Sequence, residues 1–281
     1  MTFNPDYNPT GANNRANEYF KKINNVKIAK NDMSRSELGV GGGGISGVPL
    51  SISYNNFGIL NAENSVLTPT SIFTGDAAPD KTVVSVSGGG SVLGMADPTW
   101  TMNAIPGVLH SGRAPVGVEN LIVGVGTVAF TATGNRPFTY TYSEVVDSIA
   151  VLSLRMLGMS TSEDRIPYDL RTFISGPGAP EFNMAVNRLN GGVTVAAVCF
   201  PGALAAVSWT GVDVELDERS VGVTTLKCLG AAFSEDTTDE LDAPITATVA
   251  GGLGDGLGIG IVVSWGPGTP VEAATLPIFP E

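Results

Sequence analysis

Apolar and polar residues alternate along most of this chain. In VDVELDE (212–218), Val212, Val214 and Leu216 fall on one side and Asp213, Glu215 and Asp217 on the other. That period of two is the mark of a half-buried antiparallel strand with one wet face. The same rule runs through KTVVSVSGGG (81–90), ENLIVGVGTVAFTATG (119–134), RPFTYTY (136–142), SIAVLSLRMLG (148–158), GGVTVAAVCF (191–200), VGVTTLKCLGAAF (221–233), APITATVAGG (243–252) and GIGIVVSWG (258–266). Turn-forming clusters separate these runs: Thr133-Gly134-Asn135, Gly176-Pro177-Gly178, Asn190-Gly191-Gly192 and Gly266-Pro267-Gly268. The pattern predicts an all-β protein, an antiparallel β-sandwich or barrel, with no βαβ units. Helical spacing is confined to two places. Tyr19, Ile23 and Val26 recur at that spacing with Glu18 four residues before Lys22, and Ser143 is placed to cap a short helix ahead of the 148–158 strand. GGLGDGLGIG (251–260) puts glycine at every second position, which reads either as a bare strand face open to close approach or as a flexible loop.

Composition adds one constraint. Hydrophobic residues make up 43% of the 281, enough for a large core, but charged residues make up only 15%, against roughly 25% in an ordinary soluble domain. So little charge predicts a surface partly covered by neighbouring subunits. The charge is also divided. Residues 1–38 carry six basic groups (Arg15, Lys21, Lys22, Lys27, Lys30, Arg35) against four acidic ones, while residues 39–281 carry nine against twenty-three. The sign changes at LGVGGGGISG (38–47). The expected organisation is a mildly basic, partly helical N-terminal arm (1–38), a glycine-rich hinge (39–47) and a β-sandwich body (48–281). The glycine run is no phosphate cradle, because no lysine follows it and Pro49 interrupts a helix start. The six cations either solvate a surface helix or touch nucleic acid or a neighbouring subunit.

Catalytic chemistry finds little to work with. His110 is the single histidine, Ser111 beside it is poorly placed to be its nucleophile, and no G-x-S-x-G elbow supplies another. A loop histidine bonded to backbone is the expectation, and the chain is read as a non-enzyme. Cys199 and Cys228 fit no zinc or redox spacing and are expected as buried thiols. The acidic stretch SEDTTDELDA (234–243) has two readings, a solvated loop or an oxygen-ligand site for calcium through Glu235, Asp236 and Asp239; the ordered EF-hand spacing is absent. Calcium is thus the one candidate cofactor. The opening MTFNPDYNPTGANN lacks an apolar core, so no secretory signal is expected. Leu189–Val212 is uncharged and long enough to span a bilayer, but Pro201-Gly202 at its centre predicts two buried strands and no membrane contact.

A mildly basic arm (Arg15 to Arg35), a glycine joint (Gly41–Gly44) and a turn-rich β body from Val48 to Trp265 together resemble the coat proteins of small icosahedral viruses. The resemblance covers the chain in outline and rests on no specific motif. It implies a jelly-roll sandwich that self-assembles into a capsid within the virion, with copies of itself and other virion proteins as partners. It also places the arm inside, in weak contact with nucleic acid or bridging subunits. A net charge of +2 is low for a genome-binding arm, and this favours bridging. The rival readings are a virion decoration or fibre component and a carbohydrate-binding sandwich.

Overall fold

The computed structural model describes residues 47–68, 71–92, 98–116, 119–202, 205–222, 226–253 and 256–269. The expected arm, with its Tyr19–Val26 helix and six cations, and the hinge up to Ser46 lie outside them. Gly47 onward belongs to one compact unit, and no described residue is helical. No helix among the described residues is long and apolar enough to cross a membrane.

The first half of the unit holds β1 (Ser51–Leu67), β2 (Ile72–Phe73), β3 (Thr82–Val92), β4 (Thr99–Met102), β5 (Ile105–Pro106), β6 (Val108–Val116), β7 (Glu119–Ala129), β8 (Asn135–Arg136) and β9 (Phe138–Leu157). Seven of these form one sheet in the order β5-β4-β9-β3-β7-β6, with β1 also on β9; β2 and β8 pair separately. The second half holds β10 (Asp169–Ser175), β11 (Glu181–Arg188), β12 (Val193–Pro201), β13 (Val207–Thr210), β14 (Val214–Val221), β15 (Lys227–Glu235), β16 (Glu240–Val249) and β17 (Gly258–Trp265). They make a sheet ordered β10-β17-β12-β15-β14 and a smaller one ordered β11-β16-β13. Every pairing is antiparallel.

Three layers result, and the five-stranded sheet is the middle one. Val84, Val86, Val123, Val125, Leu152 and Leu154 meet Val195, Leu229, Ile261 and Trp265 in the core between the first two sheets. Residues one position along the same middle strands (Ala196, Val198, Cys228, Val262) face the other way, onto Phe182, Met184, Trp209 and Ile245 of the outer sheet. This is why β12, β15 and β17 read as continuous apolar runs: every residue from Val193 to Phe200 is buried. The uncharged stretch 189–212 becomes β12 and β13, two strands parted at Pro201-Gly202 as its sequence predicts. The same alternation separates the cysteines. Cys199 pairs with Leu229 and Phe200 with Cys228, so the two thiols sit on opposite faces of the middle sheet and no disulfide joins them.

The GGLGDGLGIG stretch combines both of its readings. Gly251 and Gly252 turn with positive φ, whereas Gly258 and Gly260 lie in β17, bare beneath Phe182 and Met184. A Cβ on Gly258 would stand 2.2 Å from Phe182 Cζ, so the outer sheet packs this closely only because β17 has no side chain there.

The outer face of the first sheet rolls up around a third core. Gly124 and Gly126 of β7 lie opposite Ser87 and Ser85 of β3, making a shallow floor of small residues. Trp100 of β4 fills it, tilted against Phe138 and stacked on Tyr140 with centroids 5.8 and 6.0 Å away. Its Nε1 donates to Val108 O at 3.0 Å, while Gly107 N donates to Trp100 O, joining β4 to β6. Burial pushes the Tyr140 hydroxyl up to about 12, with Ser85 and Ser87 beside it offsetting part of the rise.

The expected short helix at Ser143 does not form. β9 runs unbroken from Phe138 to Leu157, its middle paired through Val146 to Asn64 and Ser91 across irregular register shifts. The β-branched pair Val145-Val146 suits a strand, and pairing on both sides outweighs one capping serine. The β4–β5 hairpin turns through Asn103 and Ala104 at φ 51° and 64°, the left-handed region that a two-residue turn demands. Alanine is strained there, so Ala104→Gly should raise stability by about 1 kcal/mol. A higher urea midpoint at unchanged slope would show it; no gain would mean that the turn relaxes some other way.

Candidate subunit interface

The acidic cluster is dispersed by the fold. Glu235 accepts from Ile52 N (2.9 Å) and Asp239 from Asn190 N (2.9 Å). Asp236 is buried and accepts from Thr194 Oγ1 (2.8 Å) and Ser234 Oγ (3.2 Å), with the Arg188 Nε 3.7 Å away. Its backbone also brackets the 190–192 turn through bonds to Gly191 N and Gly192 O. Burial raises the Asp236 carboxyl above the usual carboxylate range, Thr194 and Arg188 countering only part of it. Each of the three calcium candidates thus has a protein donor. Among the described residues, no group of three His, Cys, Asp or Glu is placed to hold a metal ion.

His110 is not in a loop. It stands half-buried on β6, and its Nε2 has no hydrogen-bond partner among the described residues. Ser111, the next strand residue, points to the opposite face. Burial lowers the imidazole pKa and favours the neutral ring.

The feature that the sequence reading missed is β10. This edge strand pairs only with β17, Leu170 opposite Val263, Thr172 opposite Ile261 and Ile174 opposite Ile259. Those partners face the core between the first two sheets, so Leu170, Thr172 and Ile174 have the register of core residues. Yet Leu170 is 37% and Ile174 58% exposed. The reason is that the first sheet stops at its own edge strand, β6. A Cβ on Gly112 of β6 would lie 2.9 Å from Thr172 Cγ2, so β6 reaches the middle of β10 and leaves the rest of that face overhanging. Tyr168, just before β10, extends the apolar row. On the opposite face Arg171 bonds Asp169 (3.0 Å) and Asp242 (2.6 Å). Asp169 and Arg171 broke the apolar run in the sequence; the period-two set Leu170, Thr172 and Ile174 was the signal available.

At the other end of this seam is a cleft of about 450 Å³ lined by Ile105, Val108, His110, Thr127, Arg165 and Ile166 among others. Val108 and Ile166 are 54% and 58% exposed. The overhang and the cleft both lie beside an open strand edge, β10 and β6, and both expose apolar side chains. No family model, no curated protein and no solved structure matches this chain.

Proposed function

We propose that the protein is a self-assembling structural subunit, the coat protein of a small viral capsid, held in a shell by contacts between copies. The observation that carries this is the overhang of β10: core-register apolar side chains, Leu170 and Ile174, left 37% and 58% exposed, with no described residue completing the wall over them. Burying such area contributes about 25 cal/mol per Å², and a second copy supplies the missing wall. The low charge content supports the same reading.

Strand order supports the jelly roll. In an eight-strand jelly roll the first strand lies beside the last, the last beside the third and the third beside the sixth, while the second, seventh and fourth line up in the facing sheet. Numbering β10–β17 as one to eight, the middle sheet runs one-eight-three-six and the outer sheet two-seven-four. The departure is β14, the fifth strand, which pairs with β15 instead of joining the outer sheet. In this reading the 1–38 arm, with Arg15, Lys21, Lys22, Lys27, Lys30 and Arg35, faces the shell interior. There it bridges subunits and touches nucleic acid weakly.

The purified protein should elute as a large assembly and show closed particles by negative-stain microscopy. Leu170→Asp combined with Ile174→Asp should leave the fold intact by circular dichroism but reduce particles to small species. A wild-type chain that stays monodisperse and monomeric at high concentration would overturn the proposal.

A further inference from the structure

We infer that β10 pairs with β10 of a second copy, antiparallel about a two-fold axis at Leu170, so that the middle sheet runs on from one subunit into the next. This rests on the reading of the chain as a self-assembling subunit and says which strands meet. β10 ends its sheet and pairs on one side, with β17 alone. An open edge is a template for another strand, and natural sheets blunt it with bulges, charges or proline. The other long edge strands of the two larger sheets are blunted in this way. β1 meets β9 through three register shifts, and β6 contains Pro115. β14 shifts between Leu216 and Arg219 and carries Glu215, Asp217 and Glu218. β10 instead keeps one register with β17 from Asp169–Ser264 to Ser175–Gly258, and its overhanging row of Leu170, Thr172 and Ile174 bears no charge.

The stretch IPYDLRTFI (166–174) is chemically palindromic about Leu170. With Leu170 facing Leu170 of the second copy, Ile166 lies against Ile174, Tyr168 against Thr172 and Asp169 against Arg171, each contact made twice. Tyr168, one residue ahead of β10, already donates from N to Ser264 O of β17 at 2.8 Å, so 168–172 is the paired stretch and the isoleucines meet at its ends. Directly opposed residues of an antiparallel pair share a face, and the even-numbered positions form one double row. Its members are the exposed ones: Ile166 and Ile174 are each 58% exposed, Tyr168 38% and Leu170 37%, and Thr172 is exposed as well. Charge selects this register over its neighbours, because opposite charges across a strand pair stabilise it and like charges destabilise it. Centring on Asp169 or on Arg171 would oppose like charges. Centring on Thr172 would set Arg171 against Phe173 and Asp169 against Ser175, with no ion pair gained. Centring on Leu170 adds two Asp169–Arg171 contacts between copies to the one that each copy makes within itself at 3.0 Å.

The test is cysteine cross-linking in the full chain. Leu170→Cys brings like to like across the axis, whereas Thr172→Cys and Ile174→Cys do not. Under mild oxidation at micromolar protein, a disulfide of dimer mass should form at least tenfold faster in Leu170→Cys than in either of the others. A mixture of Tyr168→Cys and Thr172→Cys chains should cross-link at least tenfold faster than either chain alone. Cys199 and Cys228 are buried, and the unmodified chain gives the background rate. Hydrogen exchange across 168–172 should be at least tenfold slower in the unmodified chain than in Ile174→Asp, whose substitution lies outside the measured stretch. Equal rates in the three single-cysteine chains, a fastest rate in Thr172→Cys, or equal exchange in the last comparison would each overturn the assignment. Closed particles whose Leu170→Cys chains fail to cross-link would overturn this contact and leave the shell standing. Cross-linked dimers that never close into particles would do the reverse.

Discussion

Asp236→Ala is expected to cost about 2–5 kcal/mol, the penalty of leaving two buried hydroxyls without their acceptor. Arg188 would keep its bond to Gly211 O but lose the carboxylate, and the Thr194 and Ser234 hydroxyls would lose their acceptor. Asp236→Asn should cost far less, about 1 kcal/mol, because the amide oxygen still accepts from one hydroxyl, its NH2 can donate to the oxygen of the other, and it carries no charge to desolvate. The pH dependence follows from the raised carboxyl. Since burial outweighs the partners, the folded protein prefers the protonated acid. Its contribution is full below the unfolded-state value of about 3.9 and is lost as pH rises through the higher folded value. The stability of the native protein relative to Asp236→Asn should therefore fall on going from pH 4 to neutral. Urea midpoints of the two proteins across that range give the answer. A native protein that gains on the variant as pH rises would mean that Arg188 dominates after all.

Trp100→Ala should cost about 3–5 kcal/mol, as for other large core truncations. The indole is 1% exposed and holds three things together: the Phe138 and Tyr140 rings, the small-residue floor on β3 and β7, and the β4–β6 seam through Val108 O. The floor supplies an internal control. A Cβ on Gly126 would stand 2.6 Å from Trp100 Nε1 and 2.7 Å from Ser85 Oγ, so Gly126→Ala should cost about 1–3 kcal/mol beneath the native indole. Beneath alanine at 100 much of that cost should vanish, because the added methyl enters space the indole has left. Chemical denaturation of the four proteins in the cycle reads the coupling directly. Strict additivity would show that the fit of Trp100 over Gly126 carries no energy.

Much of this architecture is legible in the chain because it follows from period-two alternation. The runs at 81–90, 191–200 and 258–266 are strands where the pattern places them, and the Pro-Gly at 201–202 separates β12 from β13. Three things were hidden for physical reasons. The joining of 136–142 and 148–158 into β9 depends on partners about 80 residues away in β1, and a local capping signal cannot report them. The role of Gly126 depends on an indole brought in from another strand, and that of Gly124 on Leu109 of β6, so ENLIVGVGTVAF reads as strand without revealing what its bare face receives. The overhang of β10 is a property of where the first sheet ends. No window of sequence around Leu170 contains that fact. The candidate site is thus the least legible part: the acidic loop drew attention by composition, and the fold distributes its carboxylates among separate backbone and side-chain donors.

The middle sheet has a further meaning for how the body comes apart. β12, β15 and β17 are walls of two cores at once. Peeling away either flanking layer bares a face of the same three strands, so neither half can melt while the other keeps its cohesion, and the two sandwiches share a single unfolding cooperativity.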